Sequence, residues 1–178
     1  GGETFSNDSN FPLQIQEISG GLLAVTPAAP DNLYAIMLSI NNTPLIYRGN
    51  MATGTWELLA TGQTNELPLN NGQGFFDLIL EVSPLDANLI FAGTTTLYKS
   101  TNGGSNFSIV GGYGGSFPIH PDIQAMKILN DGSSWVATDG GFTHSTDNFI
   151  SVDNAVAKNK NLVGSDMWGF DQGWNEDL

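Results

Sequence analysis

The residues able to do acid–base chemistry in this chain are few, and they are acids. Asp122 closes Ser116-Phe117-Pro118-Ile119-His120-Pro121-Asp122, Asp139 stands in Thr138-Asp139-Gly140-Gly141, and Asp166 and Asp171 lie close to Trp168. Two carboxyl groups facing each other across a cleft, about 6.5–9.5 Å apart, suit inverting cleavage of a glycosidic bond. A plainer role competes with this, since an acid before two glycines, as at Asp139, serves a hairpin turn. His120 and His144 have no ligand-like spacing, so no metal site is expected. The absence of cysteine removes disulfide, zinc-thiolate and thiol-nucleophile chemistry, and no cofactor is expected.

A second group of residues suits binding. Trp168, Phe170 and Trp174 fall in a Gly-rich turn segment, and exposed aromatic faces stack on the apolar faces of sugar rings. The competing role for Trp168 and Trp174 is burial between packed sheets. Tyr113, in Gly111-Gly112-Tyr113-Gly114-Gly115, is placed on a mobile connection, where ligand loops concentrate.

Positioning these side chains falls to a unit that recurs at intervals of roughly fifty residues. Its clearest copy runs from Leu80 to Gly93, continues through Leu97 to Ser100, and ends in the octet Ser100 to Phe107. Each copy opens on an apolar or alternating run, turns at Pro, Asp, Asn or Gly, and returns as a second run ending at Ala35, Ala92 or Ala137. A third run follows around Leu45 to Tyr47, Thr96 to Lys99 and Gly141 to His144, and a fourth at Glu57 to Ala60, Ser108 to Val110 and Ile150 to Val152. In the octet, the Ser100 hydroxyl and Asn102 amide bond the turn backbone, Gly104 permits positive φ, and Phe107 turns into the sheet packing. The window Gly49 to Trp56 keeps the length and the aromatic but has lost the Ser and Asp. The one at Ser145 to Phe149 lacks the glycine and is three residues short.

Four short antiparallel strands per unit make the blade of a β-propeller, so the chain reads as all-β. Closure takes about four to eight blades. The 178 residues hold blades near 20–62, 74–111 and 120–160, with 161–178 beginning another. The expectation for residues 1–178 is therefore a partial propeller, a fragment whose remaining blades are its partners.

Eighteen acidic and five basic residues give a net charge of −13, with Arg48 the single arginine. Nucleic-acid binding needs clustered Lys and Arg, so it is not expected. No run approaches the roughly 18 apolar residues of a membrane span, so no membrane insertion is expected.

The octet Ser100 to Phe107 resembles the Asp-box of the bacterial neuraminidase repeat, with Asn102 in place of the usual Asp. Val82 to Thr94 looks like the start of a blade in sortilin-like and xyloglucanase-like propellers, and Ala137 to Gly141 followed by Ser145-Thr146-Asp147 is similar to the same families. The resemblance covers residues 20 to 150. It implies structural roles for Ser100, Asn102, Gly104 and Phe107, and for Ser145, Asp147, Phe149 and Trp56, with Trp56 and Phe107 plugging interfaces between blades. His120-Pro121-Asp122 resembles a His-x-Asp element ahead of a blade's first strand that can face the central cleft, which implies a binding or catalytic role for His120 and Asp122. Sialidase-like relatives hold the substrate carboxylate with three arginines, which Arg48 alone cannot supply. The resemblance also implies an extracellular or cell-surface protein of Bacteroidetes-like bacterial type.

The function expected is non-catalytic recognition of a glycan or protein partner through propeller loops. The alternative is a fragment of a polysaccharide-cleaving, xyloglucanase-like glycoside hydrolase using paired carboxylates. A third reading is an assembly factor similar to photosystem-assembly propellers.

Overall fold

In the computed structural model, Thr4, Ser6 and residues 8–62 and 73–162 are described. They form three four-stranded antiparallel sheets, each with its strands in sequence order. The first sheet contains β1 (Ile18–Val25), β2 (Asn32–Ser39), β3 (Pro44–Asn50) and β4 (Thr55–Thr61). The second contains β5 (Ile79–Val82), β6 (Ile90–Gly93), β7 (Thr96–Ser100) and β8 (Ser108–Gly112). The third contains β9 (Ile123–Ile128), β10 (Ser134–Thr138), β11 (Gly141–Ser145) and β12 (Ala155–Ala157). β5 lies against β1 on one side and β9 on the other. The first strands of the three sheets are thus neighbours, and the sheets fan out from them as blades of a β-propeller.

Strand alternation explains the packing, because successive side chains point to opposite faces. Leu80, Val82, Ile90, Ala92 and Tyr98 of the second sheet pack with Tyr34, Ile36, Ile46 and Ala60 of the first. Their sequence neighbours Ile79, Phe91 and Leu97 pack instead with Ile123, Ile128, Val136 and Phe149 of the third sheet. Each large apolar side chain sealed this way contributes roughly 1.5–3 kcal/mol. Phe107 is 8% exposed and belongs to the core between the first and second sheets.

Each sheet also repeats a cross-strand pair of an aromatic and a cationic or imidazole residue: Tyr34 opposite Arg48, Phe91 opposite Lys99, and Trp135 opposite His144. Tyr34 and Phe91 are fully buried by the following sheet, whereas Trp135 is 36% exposed and lies against the His144 ring, with centroids 4.4 Å apart. Lys99 reaches into the third sheet, donating to the backbone oxygens of Asn148 at 3.2 Å and Phe149 at 2.6 Å. Burial pushes its ammonium pKa down, and the charge of Asp147 opposes the shift.

Two elements depart from the sequence reading. The fourth strand of the third sheet is Ala155–Ala157, not Ile150–Val152, and a 3-10 turn at Val152–Asn154 precedes it. The backbone N–H groups of Ile150 and Ser151 are taken by the Asp147 carboxylate, at 3.1 and 2.9 Å, and so cannot join the ladder of β11. Trp56 lies on the face of the first sheet turned away from the second. There its ring meets Phe11 edge-on at 4.8 Å and its Nε1 donates to Asp8 at 2.9 Å.

Phe107→Ala should destabilise the protein by about 3–5 kcal/mol, the range for deleting a buried aromatic ring. Urea unfolding checks this; unchanged stability would remove Phe107 from the core.

Candidate functional site

Antiparallel connection within each sheet divides the turns between two ends of the blades. The β1–β2 and β3–β4 turns and their counterparts share one end, where the Gly103 N–H donates to Asn88 O and the Met51 N–H to Asp31 O. The β2–β3, β6–β7 and β10–β11 turns share the other end with the segments that lead into β5 and β9. There the N–H groups of Asp122 and Ile123 donate to Thr95 O and Thr94 O.

The octet turns belong to the first end. Ser100 Oγ accepts from the N–H of Gly104 at 2.9 Å and donates to Asn102 Oδ1 at 2.9 Å, while Asn102 Oδ1 accepts from the Asn106 N–H at 3.2 Å. Gly103 and Gly104 hold φ of 72° and 92°, and a Cβ on Gly104 would stand 2.9 Å from Leu59 of the first sheet. The third sheet repeats this network without a glycine. Ser145 Oγ accepts from the Phe149 N–H at 2.8 Å and donates to Asp147 Oδ1 at 2.9 Å. Phe149 therefore stands where Gly104 does, left-handed at φ 58°, with its ring buried near Phe91 and Phe117. The turn is not three residues short, and Phe149 is not the counterpart of Phe107. At Asp147, burial pushes the carboxyl pKa up, but hydrogen bonds from Asn154, Ile150, Ser145 and Ser151 outweigh it and hold the group below its ordinary value. In the first sheet Asn50 Oδ1 caps a plain hairpin by accepting from Ala52 and Thr53. A polar cleft of about 370 Å³ lies beside that hairpin, lined by Asn32, Arg48, Asn50, Thr55, Trp56 and Glu57. Arg48 is committed there to an ion pair with Glu57 at 2.6 Å.

The acids gather at the other end. Asp122 precedes β9 with φ 64°, and Oδ1 of its carboxyl is sealed from solvent without a hydrogen-bond partner. Asp139, in the β10–β11 turn, is exposed and accepts from Gln124 Nε2 at 3.0 Å. His120 is exposed, with Nδ1 3.0 Å from Pro121 O, and lies over Gly140, where no side chain would fit. Asp77, ahead of β5, is the member that sequence reasoning missed. It is 1% exposed, and both its oxygens are buried without a partner. Burial first, and then the neighbouring charge of Asp122, push its carboxyl pKa up to about 6, with a smaller contribution from Asp139. Its signal was the repeat itself, since Asp77 and Asp122 each stand one or two residues before the first strand of a sheet.

Aromatic side chains are exposed at this same end: Phe75 and Phe76 before β5 and Tyr113 after β8. The connection carrying Tyr113 is pinned rather than loose. Gly112 N–H bonds Ile119 O, Phe117 N–H bonds Val110 O, and Tyr113 N–H bonds Thr96 Oγ1 at 3.2 Å. Asp166, Trp168, Phe170, Asp171 and Trp174 lie outside the described residues. Among the described residues no group of three or more His, Cys, Asp or Glu side chains converges as metal ligands.

No protein-family model matches the chain, and no curated protein does. Among solved structures it is similar to the GH74 enzyme of Niastella koreensis, with a TM-score of 0.50 and 18% identity over 76% of this chain and 22% of that one. It is also similar to YCF48, solved bound to D1 peptide, with a TM-score of 0.42 and 17% identity over 77% of this chain and 43% of that one. The chain thus spans less than half the length of either. At 18% identity the likeness to the GH74 enzyme concerns the fold, which agrees with the three four-stranded antiparallel sheets of a β-propeller.

Asp122→Asn should keep the left-handed backbone, which Asn tolerates, and remove the charge beside Asp77. The Asp77 pKa should then fall but stay above its ordinary value, because burial is the larger cause. Carboxyl-carbon NMR titration measures this; an unmoved Asp77 would show that the two groups do not interact.

Proposed function

We propose that the chain is part of a secreted or cell-surface propeller that recognises a glycan or protein partner with the acid-bearing end of its blades and does no catalysis. The observation that carries this reading is the set of exposed aromatics there, with Phe75 76% and Tyr113 70% exposed. They lie on connections between blades and stand largely outside the packing of the sheets. Aromatic faces at the same end of the blades as a carboxylate, an amide and an imidazole, those of Asp139, Gln124 and His120, suit a neutral sugar, which offers apolar ring faces and hydroxyl groups together. A net charge of −13 weighs against anionic polymers. The acids do not form an open catalytic pair, because Asp77 is sealed and Asp139 is hydrogen-bonded to Gln124.

The octet turns at the opposite end are read as structural Asp-box elements. Further blades of the parent chain are read as covering the outer face of the third sheet, where Trp135 and His144 repeat a pair whose aromatic member is buried in the other two sheets. A second reading, polysaccharide cleavage, draws on Asp77 and Asp122, since burial that pushes a carboxyl pKa up to about 6 is one way a glycosidase tunes its acid.

A glycan array with a parallel assay for released reducing ends tests both readings. Binding without cleavage is expected, with Tyr113→Ala and Phe75→Ala each weakening it about tenfold, or roughly 1.4 kcal/mol, at an unchanged melting temperature. Reducing-end release that disappears in Asp122→Asn would replace recognition with hydrolysis.

A further inference from the structure

Asp77 poses a problem that recognition at the surface does not solve. Its two oxygens and Oδ1 of Asp122 are buried without a partner. The groups that act on it electrostatically are Asp122, from the segment leading into β9, and Asp139, from the β10–β11 turn, and both are acids. A buried carboxylate whose charged neighbours are acids is a state that proteins avoid by neutralising the group. The backbone that carries each side chain is held in place. The Asp77 N–H is bonded to Gln73 O, the Asp122 N–H to Thr95 O, and Asp122 is fixed in a left-handed conformation.

We propose that Asp77 and Asp122 share one proton, with protonated Asp77 donating to the carboxylate of Asp122, and that this buried bond joins the segment before β5 to the segment before β9. Two carboxyls sharing a site cannot both ionise readily, so the first proton is held tightly and the pair behaves as one unit. The proton supplies the donor that two ionised carboxylates lack. It also makes the acid-bearing end of the blades sensitive to pH. Asp77 protonates at about 6 when folded, against an ordinary value of 3.8. Between these values the folded chain holds a proton that the unfolded chain has lost. The stabilisation is complete below about 3.8 and is lost as pH rises through about 6. Because Asp122 follows His120-Pro121 directly and Asp139 acts on the same carboxyl, loosening the joint would disturb the surface that carries both.

Infrared spectroscopy of the full chain tests this without any variant. A protonated carboxylic C=O stretch should persist at about pH 5, where exposed acids are ionised, and should vanish above about pH 7. Its absence at pH 5 would overturn the proposal even if every substitution at Asp77 prevented folding. Thermal melts from pH 4 to 8 supply the second arm. The wild-type melting temperature should step down between about pH 4 and about pH 6 and level off above it. In Asp77→Asn, whose amide is a permanent donor to Asp122, the step should be missing and the melting temperature at pH 8 should exceed that of wild type. Asp153→Asn, an exposed site, should leave the step in place, which separates it from general charge repulsion. If calcium raises the wild-type melting temperature at pH 8 but not that of Asp77→Asn, a cation and not a proton occupies the pair, and the proposal falls.

Discussion

Everything in this structure depends on the second sheet being buried on both faces. A four-stranded sheet with one apolar face can rest on water with the other, and its sequence then alternates apolar with polar. Here Ile79, Phe91 and Leu97 face one neighbour while Leu80, Ile90 and Tyr98 face the other, so β5, β6 and β7 carry large apolar side chains on both faces. Polar chemistry is thereby expelled to the ends of the strands. Lys99 and Glu81 are exceptions, and they show the rule: the ammonium is tolerated because backbone oxygens of the next sheet accept its hydrogen bonds, and the carboxylate because Lys127 and the Ile128 N–H of that sheet reach it.

The two ends then take different physical roles. At the octet end, Ser100 and Ser145 each close a short ring of hydrogen bonds within a single turn, and the turn packs against the sheet before it. That is local self-sufficiency. At the other end the connections run from one sheet to the next, so their backbone bonds cross sheet boundaries, as Asp122 to Thr95 and Ile123 to Thr94 do. Side chains there answer to several elements at once. Asp77, Asp122 and Asp139 come from three separate connections and still interact.

Much of the fold was legible because its signals are local. Apolar runs bounded by Pro, Asn, Asp and Gly marked eleven of the twelve strands within a few residues. The twelfth was missed because Ile150 looks like a strand residue, while its N–H belongs to Asp147, a competition between side chain and ladder that periodicity does not register. The third octet was mis-sized for a related reason. A left-handed position leads one to look for Gly, and Phe149 occupies it because the burial of its ring against Phe91 and Phe117 offsets the backbone cost. Motif and glycine context singled out His120, Asp122, Asp139 and Tyr113, and the fold brings these four to one end of the sheets. Asp77 was missed although the repeat places it, like Asp122, just ahead of a sheet's first strand, because its proximity to Asp122 across a sheet boundary shows only in the fold.

Comparing the three copies with one another recovers part of what a single copy hides. The pair Tyr34 and Arg48, and the pair Phe91 and Lys99, show what a following sheet does to this position: it buries the aromatic and, at Lys99, draws the cation onto its turn oxygens. Trp135 and His144 occupy the same register on the third sheet. With no following sheet among the described residues, the two rings lie against each other, so each shields part of the other's face. Imidazole is suited to both situations. It presents a flat face to the indole, and it keeps ring nitrogens able to bond a turn oxygen as Lys99 does. A lysine at 144 would offer the indole only its flexible stem and charge, and an alanine would leave the Trp135 face bare. The residue at this position thus reflects the same demand that shapes the second sheet, that an apolar face must be covered by whatever lies beside it.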